Sequence, residues 1–147
     1  MNARSLRLGA VGGVLGGVVF GMMMGMMGTL PMIGQMVGVP TAAAGFVVHI
    51  VNSAIIGAGF GVVLGRTATG IGSGLSTGAL YGAAWWLLGP LTLMPLFMGM
   101  GFGVNWNAGA AQAMLPSLAG HLIYGSILGA SYHLLGQRGA QYAAAAA

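Results

Sequence analysis

Four runs along the chain, near 8–28, 43–65, 72–94 and 115–136, pass without one charged side chain. A helix crosses a bilayer with about 20 consecutive apolar residues, so each run is expected to be a transmembrane helix. The remaining composition agrees. The chain has no Asp, no Glu and no Lys, and its only charged side chains are Arg4, Arg7, Arg66 and Arg138. A soluble domain is about 25% charged, whereas this one is 3% charged. Its surface is therefore expected to face lipid. The basic pI follows from four arginines and is no footprint for nucleic acid. With no Cys there is no disulfide framework, thiolate metal site or thiol nucleophile. Arg4 and Arg7 precede an apolar run, as in a signal peptide. That run outlasts the roughly 7–15 residues of a signal h-region, so it reads as a retained span.

The arginines orient the spans. Arg4 and Arg7 come before the first, Arg66 between the second and third, and Arg138 after the fourth. With four spans, all fall on one side. The positive-inside rule then puts both termini in the cytoplasm, in a bacterial or archaeal cytoplasmic membrane.

The chain also repeats itself. When His49 is aligned with His121, Ile55 meets Ile127, Gly57 meets Gly129, Ala58 meets Ala130, Phe60 meets Tyr132 and Arg66 meets Arg138. In the preceding spans, GAVGG (Gly9–Gly13) echoes GALYG (Gly78–Gly82), and TLPM (Thr29–Met32) echoes TLMP (Thr92–Pro95). The expected fold is an all-α membrane protein of four transmembrane helices. They form two parallel helical-hairpin repeats, about 8–66 and 72–138, within a single domain spanning 1–147, and residues 139–147 are a low-complexity tail. Parallel repeats are related by an axis along the membrane normal. His49 and His121 should then share one depth. Each lies about 24 Å from its arginine at 1.5 Å per residue, in the outer leaflet.

Glycines step through these spans by fours. The first carries Gly9, Gly13, Gly17, Gly21 and Gly25, with a partial second ladder at Gly12 and Gly16. The third carries Gly70, Gly74, Gly78 and Gly82, then Trp86. The second reads His49, Ser53, Gly57, Gly61, Gly65, and the fourth His121, Gly125, Gly129, His133. Residues four apart share a helix face, and a face of small residues lets helices approach closely. Tight four-helix packing is one reading. The other is that Gly57, Gly125 and Gly129, near the histidines, leave room for a flat ligand. Gly89-Pro90 should kink the third span.

Ionisable residues inside a membrane are functional-site hypotheses by default. His49 and His121 could be axial ligands of haem b, could hold a chlorin, or could bind a transition metal. The plainer role is an interhelical hydrogen bond to Asn52, Ser53 or Ser126. His133 reads as a boundary residue. The methionines Met22, Met23, Met24, Met26, Met27, Met32, Met36, Met94, Met98, Met100 and Met114 all fall in the outer halves of spans or in outer connections. Thioethers suit Cu(I). Met22, Met26, Met94 and Met98 with the two histidines therefore form a candidate copper site. The plainer role for these methionines is flexible apolar filler. Without carboxylates there is no paired acid/base system and no Ser-His-Asp triad. The glycine strings lie in spans, so they are no nucleotide fingerprints. Trp85 and Trp86 read as packing residues, and Trp106 as an interfacial anchor.

Three strings, WWLLGPLTLMPLFMGMGFG (Trp85–Gly103), LAGHLIYGSILGASYHLLG (Leu118–Gly136) and FVVHIVNSAIIGAGFGVVLG (Phe46–Gly65), resemble an uncharacterised family of small four-span proteins of bacteria and haloarchaea. The resemblance covers most of 9–136 and implies the architecture, with no activity attached. The sequence thus points to a non-enzymatic accessory subunit of a larger respiratory or photosynthetic membrane complex. No cofactor is required of it, and its partners would be lipid, other subunits or further copies of itself. The alternatives are a haem- or chlorin-holding subunit and a Met/His copper-handling protein.

Overall fold

In the computed structural model, residues 2–145 are described, with side chains through Gln137 and at Gln141. Every regular element among them is helical. Four helices are long: α1 (Ala3–Met26), α3 (Ala42–Val63), α4 (Ile71–Leu88) and α7 (Leu115–Ala145). Short helices α2 (Leu30–Gln35), α5 (Met94–Phe97) and α6 (Ala108–Ala113) fold the connections. α1, α3 and the continuous stretch Ile71–Phe97 are long and apolar enough to cross a membrane, as an integral membrane protein requires.

Caps set the starts. Asn2 accepts from the Arg4 N–H at 3.0 Å, and Thr41 from the Ala44 N–H at 3.2 Å, each satisfying a free amide of a first turn. The first helix therefore begins well before the apolar run. α7 continues into the alanine run through Ala145, as expected of the best helix former. The expected tail is thus helical as far as 145, while 146–147 lie outside the described residues.

At Gly89-Pro90 the helix passes into a π-turn, Gly89–Leu93, instead of ending. Pro90 has no N–H to give. The Met94 N–H reaches back to Gly89, and the Thr92 hydroxyl donates to the Leu87 carbonyl at 2.7 Å. These two bonds carry the helix past the proline.

α1 pairs with α3, α4 with α7, and α1 also with α7, so the order across the molecule is α3, α1, α7, α4. A Cβ at Gly9 would strike the Gly57 carbonyl, one at Gly13 the Ser53 carbonyl, and one at Gly17 the Ser53 side chain. On its other face, Gly12 and Gly16 lie against the Leu128 and Tyr124 carbonyls of α7. In the second hairpin, Gly74 meets Gly129, Gly78 meets Gly125 and Gly82 meets the His121 carbonyl. Backbones this close exchange Cα–H···O contacts of about 0.5–1 kcal/mol each.

Three sequence expectations need correction here. The equivalent of Gly9 by contact is Gly74, not Gly78, so GAVGG and GALYG differ by one helical turn. Gly25 faces only a Leu30 methyl, and Gly70 stands before α4 as its N-cap. The ladders therefore run Gly9–Gly21 and Gly74–Gly82. Lastly, Gly57, Gly125 and Gly129 have no room beside them for a flat ligand, because neighbouring backbone already fills it.

Gly78→Ala should cost about 1–3 kcal/mol, the usual penalty for overpacking. Gly72→Ala, with nothing within 4 Å of its new methyl, should stabilise α4 by about 0.5–1 kcal/mol. Thermal unfolding of both variants in detergent tests this, and equal effects would refute the packing account.

Candidate ligand cavity

The two hairpins do not close symmetrically. Contact equivalence pairs Gly12 with Thr77, Gly16 with Tyr81 and Phe20 with Trp85; on the partner helices, Gly120 corresponds to Val48. The α1–α7 seam thus carries glycine where the α3–α4 seam carries Tyr81 and Val48. The first seam is tight. The second is held by Tyr81, whose hydroxyl donates to the Ile56 carbonyl at 2.8 Å, and by Phe60 edge-on to Tyr81 and Tyr132. Beyond Tyr81, on the side away from Arg4 and Arg66, the helices part and leave a cavity of about 740 Å³.

His49 and His121 both line it. Phe20 sits edge-on to both rings, with centroids 5.2 Å and 4.9 Å away. The two imidazoles are therefore no further apart than the sum of those distances. The Phe20 ring occupies the notch that Gly120 leaves on α7.

The two histidines are held differently. His49 Nε2–H donates to the Gly17 carbonyl of α1 at 3.0 Å, a bond between helices. This partner is a backbone carbonyl rather than the Asn52, Ser53 or Ser126 side chain expected from sequence. His121 Nδ1–H donates to the Ser117 carbonyl of its own helix at 2.8 Å. A carbonyl can only accept, so each bond fixes a tautomer. Nδ1 of His49 and Nε2 of His121 are left as bare lone pairs, and neither is sealed in without a partner. His133 lies elsewhere, donating from Nδ1 to the Ala68 carbonyl of the α3–α4 turn at 3.1 Å. It ties the boundary, as the sequence suggests.

Of the expected methionine ligands, only Met94 lines the cavity. Met22 and Met98 are exposed, and Met26 is 81% exposed. The sulfur-bearing wall is instead Met24, Met27, Met32, Met36, Met94 and Met114. Helical phase explains the difference. Phe20, Met24 and Met27 follow a four-then-three step and share the face turned to the histidines. The Met22–Met26 step faces away. Sequence reasoning also missed Phe20, Trp85 and Tyr124 as lining residues. The heptad-like spacing from Gly16 through Phe20 and Met24 to Met27 was the signal available for α1.

The wall has no anion. Among the described residues there is no cluster of three or more His, Cys, Asp or Glu side chains. What the cavity offers is two neutral imidazole nitrogens, several thioethers, and the Asn52 amide at the α3 edge. A second, shallower hollow of about 560 Å³ lies between Trp86, Thr92 and Trp106. There the Trp106 indole donates to the Thr92 hydroxyl at 3.0 Å, pinning the 98–107 connection to the π-turn.

No protein-family model, curated protein or solved structure matches the chain.

His49→Ala should lower stability in detergent by about 0.6 kcal/mol, the mean for one interhelical bond in a membrane protein. His121→Ala, which breaks only a bond within its own turn, should change it less. Thermal unfolding of the two variants side by side decides, and the opposite order would refute the interhelical role of the His49 bond.

Proposed function

We propose that this chain is a non-catalytic integral membrane protein, a small subunit working within a larger assembly, whose cavity holds Cu(I) through His49, His121 and methionine thioethers. One observation carries the reading. A single cavity gathers two bare imidazole nitrogens and six thioethers, with no carboxylate in its wall. Imidazole and thioether are the ligands that suit Cu(I). Charge argues the same way. Burying an ion costs more as its charge rises, and nothing here would neutralise a divalent one. The carbonyls of Gly17 and Ser117 fix each ring by its other nitrogen, the usual way a ligating histidine is oriented.

A second reading is a haem b or chlorin ligated by the same two nitrogens. Its support is volume, since about 740 Å³ is far more than one ion fills. The same proposal makes α7 the fourth span. Its apolar character is diluted by His121, Tyr124, Tyr132 and His133, all of which turn toward protein. The four-span topology then puts the arginines and both termini in the cytoplasm.

Two measurements test this. Under reducing conditions the purified protein should bind Cu(I), and His49→Ala with His121→Ala should weaken binding by about 100-fold or more, since even outer-shell partners are worth 10–100-fold. Met22→Leu with Met26→Leu should leave binding unchanged. A Soret band lost in the histidine variant would establish the second reading instead, and a colourless protein that binds no copper would remove both. For topology, the chain has no native cysteine, so Ser5→Cys and Asn105→Cys report sidedness cleanly. Only the second should react with an impermeant thiol reagent applied to whole cells.

A further inference from the structure

The cavity holds its sulfurs at two levels. Met24 is 8% exposed, one turn beyond Phe20 and its two imidazoles. Met27, Met32 and Met36 are 44%, 40% and 36% exposed and line the same cavity at its mouth. Resting on the Cu(I) reading above, we infer that Met27, Met32 and Met36 form a separate receiving site at the rim, which takes Cu(I) and passes it inward to His49 and His121.

Distance separates the two sites. Met27 follows Phe20 by two turns, about 10 Å along α1 at 1.5 Å per residue. A metal–sulfur bond is about 2.3 Å long, as in zinc thiolates. The rim sulfurs and the imidazoles therefore enter the cavity at different levels, the first partly exposed at its mouth and the second beside Phe20.

The rim is built rather than loose. α2 carries Met32, with Met36 as its C-cap, and one helical turn places the two on one face. α2 is clamped onto α3 where Gly45 lies against the Leu30 carbonyl, and Gly34 packs against the Val39 carbonyl of the segment leading into α3. Met27 caps α1, and Gly28 turns the chain at φ 68° into α2.

The composition of the rim selects the ion. Three thioethers without a carboxylate favour a soft monovalent ion over zinc or iron. Among the described residues no arginine side chain lines this cavity, and Arg4 bonds the Gly136 carbonyl at the opposite end of the bundle. Transfer inward is ligand exchange. Copper stays Cu(I), thioether sulfurs leave, and imidazole lone pairs take their place. Both receiving nitrogens are already unprotonated, so no proton is released.

The test uses the full-length protein in detergent with Ag(I), a soft monovalent ion that does not change oxidation state. Binding is read by metal analysis and by quenching of tryptophan fluorescence, with Trp85 in the cavity wall as reporter. Wild type should take two ions. Met27→Leu, Met32→Leu and Met36→Leu combined should take one, and fill about tenfold more slowly or worse. These volume-conserving changes at partly exposed positions keep the fold. His49→Ala with His121→Ala should keep the rim ion and lose the deep one. A triple variant that loads two ions at the wild-type rate overturns the rim site, as does a histidine variant that loses both. If the histidine variant keeps two ions while the triple variant loses one, the rim stands and the imidazole site falls. A wild-type protein that takes no ion overturns both.

Discussion

The contact of one helix backbone against another along α1 is what the remaining structure depends on. In lipid there is no hydrophobic gain from bringing two apolar helices together, so association rests on close van der Waals approach and polar contacts. α1 meets that condition on two faces. Gly9, Gly13 and Gly17 admit α3, and Gly12 and Gly16 admit α7. With α1 this thin, the Tyr124 hydroxyl of α7 reaches across to the Ser53 carbonyl of α3 at 2.8 Å. One turn beyond Gly16 stands Phe20, the first large side chain on that face. Its ring comes edge-on to the histidine of each hairpin.

The cavity is the other side of that arrangement. Two equivalent hairpins would close two equivalent seams, but only one seam carries glycine at its crossing. Tyr81 bridges α4 to α3, and the aromatic cluster around the fully buried Phe60 plugs the gap at one level only. Beyond it the wall is left to side chains that fill space flexibly, methionine above all. The same asymmetry divides the histidines. His49 is spent partly on joining α1 to α3, whereas the equivalent bond between His121 and the Gly82 carbonyl is not made. Instead, His121 Nε2 is left toward Gly89 and the π-turn. π-turns occur often at functional sites, and this one forms part of the cavity wall.

Much of this was legible in the residues. Uncharged runs located the starts of the long helices within about five residues, because the cost of an unpaired charge in lipid leaves little freedom, whereas α7 runs past its expected end at 136 through Ala145. Glycines four apart identified the packing faces, because helical period alone puts them in line. The paired histidines were found by the repeat. The methionine ligands were mostly misplaced, since four-residue spacing says that Met22 and Met26 share a face but not which face. Room for a ligand beside Gly57, Gly125 and Gly129 was misread for a related reason. A missing side chain leaves a groove, and sequence does not say whether backbone or ligand fills it.

By itself, then, the sequence determined that these are membrane-suited helices, which faces of them are bare, and that two histidines occupy corresponding places. Those follow from period, polarity and length, which are local properties. Only the tertiary structure decided that α1 stands at the centre, that one seam opens, and which nitrogen of each histidine is left free. These depend on the rotation of each helix against its neighbours. That rotation is set where backbones touch, and it turns Met24 and Met27 toward the imidazoles while Met22 and Met26 face away.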